Sequence, residues 1–191
     1  GGTAVHGIDA LGGDGWRQPE VDYVEGRIGS RQCLQLQWDC VTATENEIRA
    51  VAREVPLDPG LAALVIYLRG AGASVTVVSD GYGFRAQEVA ADLGLDVLTN
   101  TVDFATGRVV SPPIGDCPTC GTCGVCKAAP IRAAAAAGRT TVLVGDGASD
   151  RRAAAVADVV FAKAALADWC RDNGVSHIPF TTLADVQVAV Q

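Results

Sequence analysis

No stretch of this 191-residue chain gathers its basic residues, no apolar run reaches membrane-spanning length, and there is no methionine. Each absence removes a class of function. Nucleic-acid binding needs clustered Lys and Arg against phosphates. Here 15 basic residues are scattered among 22 acidic ones, for a net charge of −7, so no nucleic-acid partner is expected. Spanning a bilayer takes about 20 consecutive apolar residues, so no membrane partner is expected either. The opening GGTAVHGIDALGGDG is neither basic nor followed by an apolar core, unlike a signal peptide. A chain that opens Gly1-Gly2-Thr3 without an initiator Met is expected to be trimmed, processed or a fragment. Histidine is scarce too. His6 and His177 have no partner motif and read as ordinary surface or core residues.

What is present points to a folded protein. Apolar residues make up 49% of the chain, enough for one core plus a small appendage. Of seven cysteines, four are packed into 117–126. A secreted disulfide scaffold is shorter and spreads its cysteines, so a cytoplasmic, reduced protein is expected. Cys33, Cys40 and Cys170 then read as small buried apolar residues.

The chain divides at Pro56 and the Asp58-Pro59-Gly60 turn. Before it, VDYVEGRI, RQCLQLQW and NEIRAVAREV space apolar residues three or four apart, as amphipathic helices do. After it, β-branched runs alternate with helical patterns. Strands are expected at 75–78, 95–98, 141–144 and 159–161. Helices are expected at 59–70, 84–93, 128–138, 150–156, 163–173 and over the last ten residues. An irregular insert rich in Gly, Pro and Cys occupies 103–126. Such alternation predicts an α/β fold, a Rossmann-like parallel sheet with helices on both faces.

Ligands of open parallel sheets lie beyond the carboxyl ends of the strands. After 75–78 comes Ser79-Asp80-Gly81, a hydroxyl and a glycine that suit a phosphate oxygen; an ordinary helix-capping turn is an equal reading. After 141–144 comes Gly145-Asp146-Gly147-Ala148-Ser149-Asp150. Two carboxylates flanking a tight turn suit Mg²⁺, which takes one or two of them. A helix-dipole role explains Asp150 but leaves Asp146 without a reason. Lys127 precedes a helix and can neutralise phosphoryl charge, although a lone Lys more commonly sits in solvent.

In that order, VVSDG, the Lys of VCKAAPIRAA and VLVGDGASDRRAA resemble the second, third and fourth motifs of the haloacid dehalogenase-like superfamily. The resemblance covers about residues 56–180 and is closest to the phosphoserine-phosphatase-like branch, especially methionine-salvage enolphosphatases. It implies a Mg²⁺-dependent phosphatase acting on a small phosphorylated metabolite. One Asp attacks phosphorus to give an aspartyl-phosphate, and a second serves as acid and then base. Ser79 and the Gly81 amide would bind phosphate. Lys127 would orient nucleophile and phosphate, Asp146 would ligate Mg²⁺, and Asp150 would be a ligand or support one.

The family's first motif, Asp-x-Asp-Gly-Thr, should end the central strand. Gly2-Thr3 resembles its last two residues, which puts Gly1 in the acid/base position and the nucleophile upstream. Asp9 and Asp14, among glycines and without an Asp-x-Asp pair, are poor substitutes. On this reading, residues 1–9 are the remnant after that motif, 10–55 a small helical cap, and 56–191 the core. The cap selects substrate. Where phosphoserine phosphatases place an Arg for the substrate carboxylate, the alignment puts Gln37, with Arg27 and Arg31 as other cations nearby. Asn100 follows the second strand. The alternative is a non-catalytic phosphate- or metal-binding relative with a structural zinc site made of four cysteines. Cys117, Cys120, Cys123 and Cys126 have the x₂ spacing of tetrahedral zinc ligands, but they also read as a metal-free turn or a redox cluster.

Overall fold

The computed structural model describes residues 14–112 and 121–191. A single 3₁₀ turn at Asp14–Trp16 leads into helices α1 (Arg17–Val24), α2 (Ser30–Trp38), α3 (Glu45–Glu54) and α4 (Leu61–Gly70). Strand β1 (Thr76–Ser79), helix α5 (Phe84–Leu93) and strands β2 (Asp96–Thr99), β3 (Thr101–Asp103) and β4 (Arg108–Val110) follow. The remainder is α6 (Ala128–Ala136), β5 (Val142–Gly145), α7 (Arg151–Ala154), β6 (Val159–Ala162), α8 (Ala164–Asp172), β7 (Ile178–Pro179) and α9 (Leu183–Ala189). The chain forms two compact units, one of residues up to Pro56 with Thr76–Cys126, the other of Leu57–Val75 with Lys127–Gln191.

In the first unit, β1 and β2 pair in parallel, Ser79 level with Thr99. Helix α3 starts where a capping box predicts. The Thr44 N–H donates to the Glu47 carboxylate at 2.8 Å, and the Glu47 N–H returns to the Thr44 hydroxyl at 3.4 Å. The core gathers Trp16, Leu34, Trp38, Ile48, Tyr82 and Phe84. Trp38 is its hub, with ring centroids 5.2 Å from Tyr82 and 5.7 Å from Phe104. The Tyr82 hydroxyl finds the Leu34 carbonyl at 3.0 Å, so the ring is buried without an orphaned polar atom.

Part of the insert expected to be irregular is ordered. β3 and β4 form an antiparallel hairpin, Thr101 opposite Val110. Asp103 closes its turn, accepting from the Ala105 N–H at 2.9 Å and the Thr106 hydroxyl at 2.7 Å. Strands of three residues are too short to show an alternation.

In the second unit β6 is central, paired in parallel with β5 on one side and β7 on the other. Val160, Phe161 and Ala162 are buried, as a strand covered on both faces requires. Leu166, Cys170 and Ala154 pack around β6, and Leu64 and Val186 meet Phe161. β5, whose partner among the described residues is β6, leaves Val142 and Val144 exposed.

The β5–β6 pair is clamped where it begins. The Asp158 carboxylate accepts from the Thr141 N–H at 2.7 Å and the Thr141 hydroxyl at 2.8 Å. These hydrogen bonds, backbone first, hold the Asp158 carboxyl below its ordinary 3.8. A depressed folded-state pKa contributes stability that is complete above the unfolded value and drains away as pH falls through the folded one. Thermal unfolding scanned from about pH 7 to pH 3 should therefore show a shallower acid limb for Asp158→Asn than for the parent chain.

Candidate active site

Two polar clusters sit at the carboxyl ends of parallel strands, one in each unit. In the first, β1 runs into Ser79-Asp80-Gly81. The Gly81 N–H points at the Ser79 hydroxyl, 3.3 Å away. Asn100, fully buried just after β2, braces the turn. Its amide nitrogen donates to the Gly81 carbonyl at 3.0 Å and lies 3.4 Å from the Asp80 carboxylate. That carboxylate also accepts from the Val125 N–H at 2.7 Å. The Asn100 amide oxygen is buried with no hydrogen-bond partner among the described residues, so the side chain is held through its nitrogen alone.

The second cluster is built on β5. Asp150 lies in a 3₁₀ turn, Ala148–Asp150, and is 4% exposed. One carboxylate oxygen accepts from the Gly147 N–H at 3.0 Å and the Asp146 N–H at 3.2 Å. The other pairs with the Lys127 ammonium at 2.7 Å, the two side chains being 14% and 6% exposed. Asp150 thus holds a cation and folds the turn at once. Gly145 makes room for it, since a Cβ there would lie 2.8 Å from the Asp150 carboxyl carbon. Asp146 differs. It is exposed, and its carboxylate has no side-chain partner among the described residues, while its carbonyl accepts from the Leu166 N–H at 3.1 Å. A carboxylate facing water at a strand end is an oxygen donor of the kind Mg²⁺ takes.

Within each unit the structure brings Ser79 to the Gly81 N–H and Lys127 to Asp150, whose carboxylate also accepts from the Asp146 N–H. Gln37 is buried and donates to Glu20 at 3.0 Å. Arg27 is paired with Asp22 and Glu25, and Asp14 with Arg17. His177 makes a local contact with the Val175 carbonyl. Gly1, His6, Asp9, Cys117 and Cys120 lie outside the described residues, so of the four-cysteine array only Cys123, half-buried, and Cys126, buried, are described. Cys33 is no nucleophile. Burial, with the nearby charges of Glu20 and Asp80, pushes its thiol up to about 12. Burial also raises the Tyr23 phenol to about 12, helped by the negative charge of Asp80. The bracing roles of Asp80 and Asn100 were not anticipated. Their one sequence signal is a polar pair, Ser79-Asp80 and Thr99-Asn100, after each strand run.

The haloacid dehalogenase-like hydrolase profile matches residues 15–155. A 2-hydroxy-3-keto-5-methylthiopentenyl-1-phosphate phosphatase of Exiguobacterium sibiricum is 31% identical over 73% of this chain and 64% of its own length. A phosphoserine phosphatase of Idiomarina loihiensis is 30% identical over 77% and 66%. The chain thus spans a little under two thirds of the length of these curated relatives. Among solved structures, a probable phosphoserine phosphatase from Vibrio cholerae superposes with a TM-score of 0.69 at 25% identity, over 91% of this chain and 54% of that one. A phospho-aspartyl intermediate analogue of phosphoserine phosphatase gives 0.67 at 18% identity, over 92% and 85%, a likeness of fold.

Removing the Asp150 charge should leave the Lys127 ammonium buried without its partner. Asp150→Asn should cost about 3 kcal/mol or more in urea unfolding. Adding Lys127→Met should recover part of that loss, giving a non-additive double-mutant cycle.

Proposed function

The chain belongs to the haloacid dehalogenase-like hydrolase family, and from that premise we propose that it hydrolyses the phosphate monoester of a small metabolite with Mg²⁺ as cofactor. The observation that carries this is the buried Lys127–Asp150 pair, 2.7 Å long, fixed beside the exposed carboxylate of Asp146. A family phosphatase needs a cation for the phosphoryl group and an open oxygen donor for the metal, and the β5 turn offers both.

In this proposal Ser79 and the Gly81 amide bind phosphoryl oxygens, and Asn100 and Asp80 keep their turn in shape. Lys127 neutralises the phosphoryl charge, Asp146 ligates the metal, and Asp150 positions Lys127 and the turn. Bound Mg²⁺ supplies charge neutralisation and alignment of the phosphoryl group. The nucleophile is an aspartate of an Asp-x-Asp element outside the motifs present here. Its carboxylate oxygen bonds to phosphorus as the ester bond breaks, and the second Asp gives the leaving oxygen its proton. That Asp then takes a proton from the water that releases phosphate. Among the described residues β5 is paired on one side only, so its other edge offers unpaired N–H and C=O groups to a further strand. Residues 10–55 act as the cap that chooses the substrate. With Gln37 committed to Glu20, a substrate without a carboxylate at that position is favoured. The second reading is a non-catalytic phosphate- or metal-binding relative, which would use the same Ser79–Gly81 turn and Asp146 carboxylate without an attacking group.

The test is phosphate release from a panel of small phosphate monoesters by a chain extended upstream through an apolar strand ending in Asp-x-Asp. Hydrolysis that requires Mg²⁺, and that falls about a hundredfold or more in Lys127→Ala, is the expected result. An extended, folded chain that releases no phosphate from any ester rejects the enzyme in favour of the binder.

A further inference from the structure

Seven arginines belong to the first unit, in a chain whose acidic residues outnumber its basic ones by 22 to 15. Five of them are neutralised: Arg17 by Asp14, Arg27 by Asp22, Arg49 by Glu45, and Arg53 and Arg85 by Glu88. Arg31 and Arg108 are the other two, and neither has a carboxylate partner among the described residues. They come from distant parts of the chain, yet both line one cleft of about 310 Å³. The rest of its wall is Gln32, Gln35, Gly29, Val109 and Thr122, with no acidic side chain among them.

The cleft is braced. Gln35 ties α2 to the hairpin with two hydrogen bonds, its amide nitrogen donating to the Gly107 carbonyl at 3.0 Å and its oxygen accepting from the Val109 N–H at 2.9 Å, while the same nitrogen also reaches Asp39 at the end of α2 at 2.8 Å. That link fixes the backbone that carries Arg108 relative to the helix that carries Arg31. The Arg31 N–H donates to the Thr122 carbonyl at 3.1 Å. Gly29 permits this approach, because a Cβ there would lie 2.3 Å from the same carbonyl oxygen. Two guanidiniums carried on a fixed frame, neither paired with a carboxylate among the described residues, present forked donors to a planar or tetrahedral oxyanion. The volume, near the lower limit for small-molecule pockets, restricts the ligand to a small one.

We propose that this cleft binds a small multivalent oxyanion, a phosphate or a di- or tricarboxylate, between Arg31 and Arg108. It shares no residue with the Ser79–Gly81 turn, and the proposal stands whether or not the chain is a phosphatase.

The test is isothermal titration of the full chain with inorganic phosphate in one arm and citrate in the other, at low salt, where exposed charge pairs are least screened. Arg31→Gln, Arg108→Gln and the double variant are compared with Ser79→Ala. Both arginines are exposed, so the variants should fold, which circular dichroism checks. Saturable binding of either anion, weakened about tenfold or more in the double variant and kept in Ser79→Ala, supports the site. Phosphate alone, citrate alone or both binding in this way identifies the class of oxyanion. The proposal is overturned if neither anion binds at up to about 10 mM, or if the double variant binds as the parent does. Binding lost in Ser79→Ala but kept in the arginine variants places the anion on the phosphate turn and also overturns it.

Discussion

The ion pair between Lys127 and Asp150 is the contact on which the β5 site depends. Asp150 is almost fully buried, and a buried carboxylate persists only where its charge is met. It is met on both oxygens, by the Lys127 ammonium and by the N–H groups of Asp146 and Gly147. One side chain therefore joins the start of α6 to the start of α7 and closes the turn between them. The same closure uses up the Asp146 amide while leaving its carboxylate in water. The GDGASD sequence thus contains two aspartates with opposite fates, one turned inward as a brace and one with its carboxylate exposed.

The β1 turn follows a similar logic with an amide and a carboxylate. The Asn100 amide nitrogen and the Asp80 carboxylate are committed to backbone and to each other, which sets the shape of Ser79-Asp80-Gly81. In both places a buried polar side chain fixes backbone at a strand end, where loop residues would otherwise move freely. Chemistry that relies on preorganised donors needs this stiffness, because donors already in place cost no rearrangement when charge develops.

Much of this was legible in the sequence. The strand runs at 75–78, 95–98, 141–144 and 159–161 each fall within one residue of the observed strands, because short runs rich in Val and Leu, followed by polar and glycine residues, mark strands. The amphipathic helices before Pro56 were equally plain, although α1 closes at Val24, before Gly26 and Ile28. The β3–β4 hairpin and the two-residue β7 were not legible, since such short strands carry no periodicity. The pairing of Lys127 with Asp150 was suggested by motif order, but its geometry arises from folding across 23 residues. The Arg31–Arg108 cleft left no trace in sequence, because its two arginines come together only through the docking of the β3–β4 hairpin on α2. Asp150 shows a further limit of sequence reading. Motif spacing alone left it open as a metal ligand or a support, and hydrogen bonds on both its oxygens favour the support.

The proposed division of labour, Asp146 for the metal and Asp150 for the brace, is measured directly by metal binding. Mn²⁺ standing in for Mg²⁺ can be titrated into the 191-residue chain and the free ion followed by electron paramagnetic resonance. Saturable binding that Asp146→Asn weakens about tenfold or more, with the fold intact by circular dichroism, is the predicted result. Mn²⁺ binding with the same affinity in Asp146→Asn as in the parent chain would contradict it.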